Sequence, residues 1–279
     1  MTERFQTIVP IVTPYGDDGA VSATGIAAHA NVLAEAGVDG FFVCGTNGEG
    51  PLLTDDEVVT ATRAVARSAA GCRIIPQVGR PSTRATRELL VRCVDAGATA
   101  VAVVTPYFFK LTDDGARDHY HEAISAAAGT PVLAYVIPVF AGNDLSPDLV
   151  AELAAAGLAG LKDSTKSLER HEAYVAVREV VDNPGFETFV GEGAMALEAF
   201  RMGSNGVVPA AANFRPELFV ELTAAMTAGD DPRARALQAQ IADAGGRCVG
   251  IAAVKRNVVA MMSGLGSAYP DSRVRGPLR

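Results

Sequence analysis

One lysine occupies a position where an amine could attack a carbonyl carbon. Lys162 ends an apolar segment that begins at Leu158, so its side chain follows a predicted buried strand. Only four of the 24 basic residues are lysines, and arginine, which supplies the other positive charges, cannot act as a nucleophile because it stays protonated. An apolar pocket would lower the pKa of the Lys162 amine and expose its lone pair for Schiff-base formation. A lysine that extends from a strand end into solvent is the structural alternative.

Two further segments could bring polar groups to this amine. Tyr135 lies near the end of the apolar run Val132–Val136, and a phenol beside an amine can relay protons during imine formation and carbon–carbon bond cleavage. In the glycine-rich segment Gly45–Pro51, the backbone amides and side chains of Thr46 and Asn47 could hold a carboxylate. A core tyrosine and a tight strand-to-helix turn are the structural alternatives. The segment also lacks the lysine of a phosphate-binding loop.

Strand-like and helix-like segments alternate along the chain. A glycine ends a helix shortly before a strand at Gly37, Gly97, Gly157 and Gly203, which indicates repeated strand–helix modules. This alternation predicts a doubly wound sheet or a closed barrel, and eight strands favour a (β/α)8 TIM barrel. The predicted strands are Thr7–Val12, Gly40–Cys44, Arg73–Val78, Ala100–Val104, Val132–Val136, Leu158–Lys162, Glu187–Val190 and Gly206–Val208.

The barrel also predicts the domain organisation. We expect residues 1–214 to form the (β/α)8 core, and residues 215–279 to supply the last barrel helix and a C-terminal helical extension packed on the barrel. Helix-like sequence continues there over Glu217–Ala228 and Pro232–Met262. In such barrels the active site lies at the carboxyl ends of the strands, where Lys162 and Tyr135 would meet.

Composition argues against several classes of function. The net charge of -8 and the absence of a basic run argue against nucleic-acid binding. No stretch approaches the roughly 20 apolar residues of a membrane helix and no apolar signal core opens the chain, so we expect a cytoplasmic protein without membrane partners. No histidine falls at a strand end and the four cysteines match no zinc pattern. We therefore expect no metal and no cofactor, only a covalent lysine imine with the substrate.

Three motifs together resemble the dihydrodipicolinate synthase/N-acetylneuraminate lyase family of class I aldolases, and the likeness runs through nearly the whole chain. The family's glycine–threonine loop resembles Gly45–Glu49, and its Gly-x-Lys motif resembles Gly160–Lys162. Its Tyr-x-x-Pro strand end resembles Tyr135–Pro138, with Gly142 following at the expected distance. The order and spacing of three motifs are far more specific than any one of them.

The resemblance implies a role for each matched residue. Lys162 would form the imine with pyruvate, Tyr135 would shuttle protons, and Thr46 and Asn47 would bind the pyruvate carboxylate. Family members are typically homotetramers, so the implied partners are a small 2-oxo acid, an aldehyde and further copies of the chain. The other residues expected to line the site are Gly45, Tyr107, Phe108, Phe140, Gly191 and Val208.

The chain departs from the family pattern where the second substrate would bind. Dihydrodipicolinate synthases carry a carboxylate-binding arginine after the Tyr-x-x-Pro motif, and Phe140, which stands there, cannot make that bidentate contact. Phe108 stands where the synthases place a relay tyrosine from a neighbouring subunit, with Tyr107 adjacent. Sialic acid lyases hold the polyol chain with acidic residues just after strand seven; here only Glu192 could serve, and its register does not match. These aromatics suggest a more apolar aldehyde pocket, or are ordinary wall residues.

We therefore expect a class I pyruvate-dependent aldolase that cleaves or forms a 2-oxo-3-deoxy acid. Three alternatives stay open at this stage. The first is dihydrodipicolinate synthase itself, which condenses pyruvate with aspartate semialdehyde. The second is a dehydratase that acts on a 2-oxo-3-deoxy sugar acid through the same imine. The third is a catalytically silent homologue that binds pyruvate.

Overall fold

Short parallel strands form one sheet in the computed structural model, which describes residues 5–267 and 269–278. Their brevity and near-complete burial match the apolar runs of the sequence, as expected for parallel strands covered on both faces. Within the described residues the strands are β1 (Gln6–Val9), β2 (Gly40–Val43), β3 (Arg73–Pro76), β4 (Val101–Val104), β5 (Val132–Val136), β6 (Gly160–Asp163), β7 (Glu187–Val190) and β8 (Gly206–Val207).

The sheet closes into a barrel. Its order, β3-β2-β1-β8-β7-β6-β5-β4, leaves β3 and β4 at the two edges. A parallel bridge between Gln77 and Ala102 joins these edges, and the N–H of Val78 donates to the Ala102 carbonyl at 2.8 Å. The buried Gln77 side chain also accepts a hydrogen bond from the N–H of Val104 at 3.2 Å. We call this closure the β3–β4 seam.

Helices follow the strands around the outside of the barrel, so the predicted (β/α)8 fold is confirmed. A serine or threonine caps most of the longer helices, its side chain accepting a hydrogen bond from a backbone N–H of the first turn. Within the described residues the helices are α1 (Ala23–Glu35), α2 (Asp55–Ser68), α3 (Thr83–Asp95), α4 (Asp113–Ala126), α5 (Pro138–Ala141), α6 (Pro147–Ala155), α7 (Leu168–Val180), α8 (Ala196–Arg201), α9 (Pro216–Thr227), α10 (Asp231–Gly246) and α11 (Ile251–Gly264).

The C-terminal helical region follows the last strand. Helix α9 comes directly after β8 and is the eighth barrel helix, whereas α10 and α11 are additional. The predicted helical stretch Pro232–Met262 is interrupted, because α10 ends at Gly246 and Gly250, with φ 78°, precedes α11. In the portion of the chain that the structure describes, no helix has both the length and the apolar character needed to cross a membrane.

Six of the eight predicted strands differ from the observed ones at a boundary, and β1 and β6 differ at both ends. Strand β1 is shorter than Thr7–Val12, because Pro10 has no N–H to offer the sheet. Strand β6 begins after the predicted Leu158, because the N–H of Leu158 donates at 2.9 Å to the carbonyl of Leu153 at the end of α6. Strand β6 instead continues through Asp163.

Alternating side chains divide the apolar residues of the strands between two clusters. The larger cluster lies between the strands and the surrounding helices. The smaller one, which we call the interior cluster, fills the barrel and contains residues from almost every strand or the segment after it. Its members are Ile8, Phe42, Ile75, Ala100, Ala102, Val104, Leu133, Tyr135, Ile137, Ala141, Phe189 and Val208, with Tyr107 packed against them.

Candidate active site

The register of the strands directs Lys162 into the barrel. It pairs with Tyr135 of β5 and with Phe189 of β7, and residues paired in register have side chains on the same face of a sheet. Lys162 is only 5% exposed, and its Nζ lies 4.0 Å from the ring centre of Phe42 and 4.3 Å from that of Tyr135. The amine is thus enclosed by aromatic rings near the carboxyl end of β6 and does not extend into solvent.

Burial controls the charge of this amine. Removal from water disfavours the ammonium form and lowers the pKa of Lys162 from its ordinary value of 10.5 to about 7. The aromatic faces attract the ammonium form, but desolvation dominates. A substantial fraction of Lys162 is therefore neutral near pH 7, and the neutral amine carries the lone pair that attacks a carbonyl.

The phenol of Tyr135 is connected to the loop after β2. Its hydroxyl lies 2.9 Å from Oγ1 of Thr46, within hydrogen-bond distance. Burial raises the pKa of Tyr135, and hydrogen bonds with Thr46 and Ser164 partly offset that rise. The phenol therefore stays protonated near neutral pH, so it can give a proton and recover it through its hydroxyl neighbours.

Ser164 is a site residue that the sequence analysis missed. It follows Lys162 by two positions, and its hydrogen bond with Tyr135 brings its hydroxyl to the same group of side chains. A Cβ atom at Gly191 would lie 2.3 Å from Oγ of Ser164, so glycine is required there for the two segments to approach. The two-residue alternation of a strand, extended past Lys162, was the signal that could have revealed Ser164.

The loop after β2 is a tight turn held by its own backbone. The N–H of Glu49 donates to the carbonyl of Thr46 at 3.1 Å, and that of Gly50 donates to the carbonyl of Gly45 at 3.0 Å. Thr46 and Asn47 lie at the turn, half-buried, while Gly45 is buried beneath them. Because Thr46 contacts Tyr135, this turn is the part of the loop that meets the barrel interior. We call Gly45–Gly50 the carboxylate loop, after the 2-oxo acid carboxylate that the family resemblance leads us to expect there.

The aromatic residues predicted to line the site separate into inner and outer ones. Tyr107 is half-buried against the interior cluster, to which Val208 also belongs. Phe108, with φ 82°, is 86% exposed, and Phe140 is 69% exposed. In the described part of a single chain, these last two rings do not enclose the apolar aldehyde pocket suggested by the sequence. Tyr107 is instead the aromatic residue of its loop that packs toward the site.

The loop that carries these aromatics is fixed by Asn143. The buried side chain of Asn143 donates to the carbonyls of Pro106 and Phe109, each at 2.7 Å, and accepts from the N–H of Leu111 at 3.1 Å. The segment after β5 therefore holds the segment after β4, and both lie at the carboxyl ends of their strands. This connection sets the position of Tyr107 at the rim of the barrel.

Residues that flank Lys162 make contacts outside the interior cluster. Asp163 is buried, and its carboxylate lies 3.1 Å from Nδ1 of His171 on α7. Lys166 is exposed, and its Nζ lies 3.6 Å from the carboxylate of Glu192. Asp163 thus anchors the end of β6 to the helix layer. Over residues 5–267 and 269–278, no group of three or more His, Cys, Asp and Glu side chains is arranged to hold a metal ion.

A closed barrel of eight parallel strands, with a buried lysine amine at the carboxyl end of one strand, defines a (β/α)8-barrel protein with a candidate nucleophile where active sites of such barrels lie. The chain belongs to the dihydrodipicolinate synthetase family, whose model matches residues 4–266. This finding confirms the resemblance that the three motifs indicated.

Relatives of the chain include lyases of characterised and uncharacterised function. An uncharacterised DapA-like lyase of Halobacterium salinarum is 38% identical over 237 residues, which cover 84% of this chain and 76% of that protein. The 4-hydroxy-tetrahydrodipicolinate synthase of Nitrosomonas eutropha is 35% identical over 235 residues, which cover 84% of this chain and 79% of that protein. These relatives support a lyase and leave the substrate open.

Solved structures share the fold. The prophage protein YagE of E. coli K12, a member of the dihydrodipicolinic acid synthase family solved in complex with pyruvate, has a TM-score of 0.90 at 25% identity, with 98% of this chain and 92% of that chain covered. The KD(P)GA of T. tenax has a TM-score of 0.87 at 28% identity, again with 98% and 92% covered.

Proposed function

We propose that this protein is a pyruvate-dependent class I aldolase in which Lys162 forms the Schiff base. The observation that carries the proposal is the buried amine, whose pKa of about 7 provides a neutral nucleophile against the rings of Phe42 and Tyr135. Its nitrogen would attack the C2 carbonyl of a 2-oxo acid. Loss of water from the resulting carbinolamine gives the imine, with two protons transferred from the amine to the departing oxygen.

The neighbouring groups fit the remaining proton transfers. Tyr135, linked to Thr46 and Ser164, is placed to move protons to and from the reacting oxygen. Transfer of a proton from C3 to the imine nitrogen gives an enamine. Its C3 attacks the aldehyde carbon to form the new carbon–carbon bond, and the proton on nitrogen passes to the aldehyde oxygen. Cleavage runs the same steps in reverse. Water then hydrolyses the product imine and restores the amine.

The carboxylate loop supports recognition of the 2-oxo acid. The turn at Thr46 and Asn47 lies beside Tyr135, so amide and hydroxyl donors are available next to the reacting carbon. Asn47 can donate a hydrogen bond to a carboxylate through its side-chain amide. Gly45 leaves room for the ring of Phe42, and Gly191 leaves room for the carbonyl of Asp163 and the hydroxyl of Ser164.

The second substrate we propose is an aldehyde that leads to a 2-oxo-3-deoxy acid. Phe140 stands where an arginine would bind the carboxylate of aspartate semialdehyde, and it offers no hydrogen-bond donor from its ring. Dihydrodipicolinate synthase is the second candidate, favoured by relatives such as the 4-hydroxy-tetrahydrodipicolinate synthase of Nitrosomonas eutropha. A panel of aldehydes that includes aspartate semialdehyde separates the two.

We further propose that copies of the chain associate through the exposed apolar residues at the rim, as in a homotetramer. The rings of Phe108 and Phe109 pack edge to face with centroids 5.0 Å apart, yet both are largely exposed. Val139 and Phe140 are exposed on the segment after β5. Exposed apolar patches of this kind are typical of protein–protein contacts. A second copy would bury them and complete the wall of the aldehyde site.

The test is reductive trapping. The protein is incubated with pyruvate and borohydride, and the modified peptide is then identified by mass mapping. We expect borohydride to label Lys162 in the wild-type protein and no such label to form in Lys162→Arg. The exposed Lys166 is an internal control for non-specific labelling. A protein without the adduct contradicts imine chemistry. An adduct without turnover on any aldehyde of the panel would indicate a pyruvate-binding homologue. Activity is expected to persist in the presence of a chelator.

A further inference from the structure

The carboxylate loop contains a buried acid whose partners come from the far end of the chain. Glu49 is 1% exposed and has φ 57°, in the left-handed region that non-glycine residues rarely adopt. Its carboxylate forms a buried ion pair with Lys255 of α11. It also accepts a hydrogen bond at 2.8 Å from the N–H of Arg275, 226 residues later in the sequence. The conformation of the loop therefore depends on residues beyond the eighth strand.

Residues 271–275, which we call the C-terminal strap, contact Lys255, helix α2 and the segment after β1. Nζ of Lys255 donates to the carbonyl of Arg273 at 2.8 Å. The guanidinium of Arg275 donates to both carboxylate oxygens of Glu57 on α2, at 2.7 and 2.8 Å, and to the carbonyl of Gly19 after β1 at 2.9 Å. The strap thus contacts both Lys255 and Glu49 of the carboxylate loop.

The position of Glu49 matters for an anionic substrate. It lies two residues after Asn47, on the loop whose donors would bind the pyruvate carboxylate, so an uncompensated charge on Glu49 would repel that substrate. Inside a protein such repulsion is screened far less than in water. The ammonium of Lys255 cancels the charge of Glu49, and the same contact holds the left-handed turn in place.

We propose that Lys255 is a positioning residue for pyruvate binding that acts through Glu49. It does not touch the substrate; it neutralises and anchors the carboxylate loop so that Thr46 and Asn47 present their donors to the pyruvate carboxylate. This inference rests on the proposed function, because it assigns a role in binding the 2-oxo acid of that reaction.

The opposite end of the barrel provides a matched control. Arg73 and Glu187 are the first residues of β3 and β7, and their side chains form a two-point ion pair at 2.7 and 2.8 Å. This pair is half-buried and stabilises the fold at the amino ends of the strands, away from the carboxylate loop. Its loss should lower stability without changing how the protein binds pyruvate.

The experiment measures the rate of borohydride trapping at Lys162 against pyruvate concentration. Lys255→Met is expected to raise the half-saturating pyruvate concentration about tenfold or more, with a smaller change in the limiting rate. Glu49→Gln/Lys255→Met, which leaves no unpaired charge, is expected to fall between wild type and Lys255→Met. Arg73→Met is expected to keep the wild-type half-saturation. Lys255→Gln, which keeps a hydrogen-bond donor but no charge, tests the same point should Lys255→Met unfold.

The outcomes separate the two proposals. If the wild-type protein forms no pyruvate adduct at Lys162, both the proposed function and the positioning role are wrong. Wild-type protein that labels normally, while folded Lys255→Met or Lys255→Gln shows unchanged half-saturation, overturns the positioning role alone. An equal rise in Arg73→Met also overturns it, because general destabilisation would then explain the effect. Circular dichroism at the assay temperature establishes which variants are folded.

Discussion

At the scale of single residues, Lys162 differs from the other lysines in its surroundings. Lys110 and Lys166 are exposed. Lys255 is buried as deeply as Lys162, and burial lowers its pKa, but Glu49 opposes that shift by stabilising the ammonium form. Both amines lie against aromatic rings, that of Lys255 4.2 Å from the ring centre of Tyr15, but among the described residues no carboxylate forms an ion pair with Lys162. The carboxylate of Glu49 thus keeps Lys255 as a structural cation, whereas the amine of Lys162, with its lowered pKa, suits the nucleophile that we propose.

The buried amine of Lys162 should make stability depend on pH. Its pKa is about 7 in the folded chain and 10.5 when exposed, so between these values the unfolded chain binds a proton that the folded chain lacks. Stability from this group therefore increases as pH rises through that range. We expect Lys162→Met to melt at a higher temperature than wild type at pH 7, with a smaller difference at pH 9.5. Calorimetry that shows the same difference at both pH values would contradict the assigned pKa.

Loss of the Tyr135 hydroxyl should affect catalysis more than folding. We expect Tyr135→Phe to lower turnover by about 10²- to 10⁴-fold, the usual contribution of a proton-transfer group. Tyr120→Phe is the control, because the Tyr120 hydroxyl is also buried and donates to the carbonyl of Val103 at 2.9 Å, away from the interior cluster. Steady-state kinetics and melting curves of both variants make the comparison. Equal turnover in the two variants would remove Tyr135 from the proton relay.

At the scale of elements, the carboxylate loop should tolerate no side chain at Gly50. A Cβ atom there would lie 1.9 Å from the carbonyl oxygen of Cys44, which only a shift of backbone can relieve. We expect Gly50→Ala to destabilise the protein by about 1–3 kcal/mol or more and to weaken pyruvate trapping. Gly245→Ala in α10, where a Cβ meets nothing within 4 Å, should stabilise the protein by about 0.5–1 kcal/mol. Denaturant unfolding checks both, and a harmless Gly50→Ala would mean that the loop readily rearranges.

Local pattern predicted the strands, the barrel and the placement of Lys162, because apolar runs and glycine-ended helices are properties of neighbouring residues. It did not predict the contact of Glu49 with Arg275, 226 positions apart, because a hydrogen bond between a side chain and so distant a backbone N–H has no local signature. Local sequence could not predict the exposure of Phe108 and Phe140 either, because an aromatic residue at a strand end is compatible with both a pocket wall and a subunit contact. Burial in the folded chain is what distinguishes the two.

At the scale of the whole molecule, the rim aromatics should govern association. We expect the wild-type protein to form oligomers, and Phe108→Asp with Phe140→Asp to reduce their size, because a carboxylate buried at an interface is unfavourable. Val180→Asp is the control, since Val180 is exposed on α7 and is not among the rim residues. Light scattering after size-exclusion chromatography measures the masses. A monomeric wild type, or a double variant of unchanged mass, would show that the rim is not the interface.

The hydrogen bond between Thr46 and Tyr135 joins residues 89 positions apart that follow or belong to the second and fifth strands. The β3–β4 seam lies between those strands in the chain, so neither the first three strands nor the last five contain all of the reacting groups. A nascent or refolding polypeptide consequently acquires turnover only after both portions have come together. Recovery of enzymatic rate would therefore report when the two portions have joined, and two separately produced fragments would be inactive until mixed.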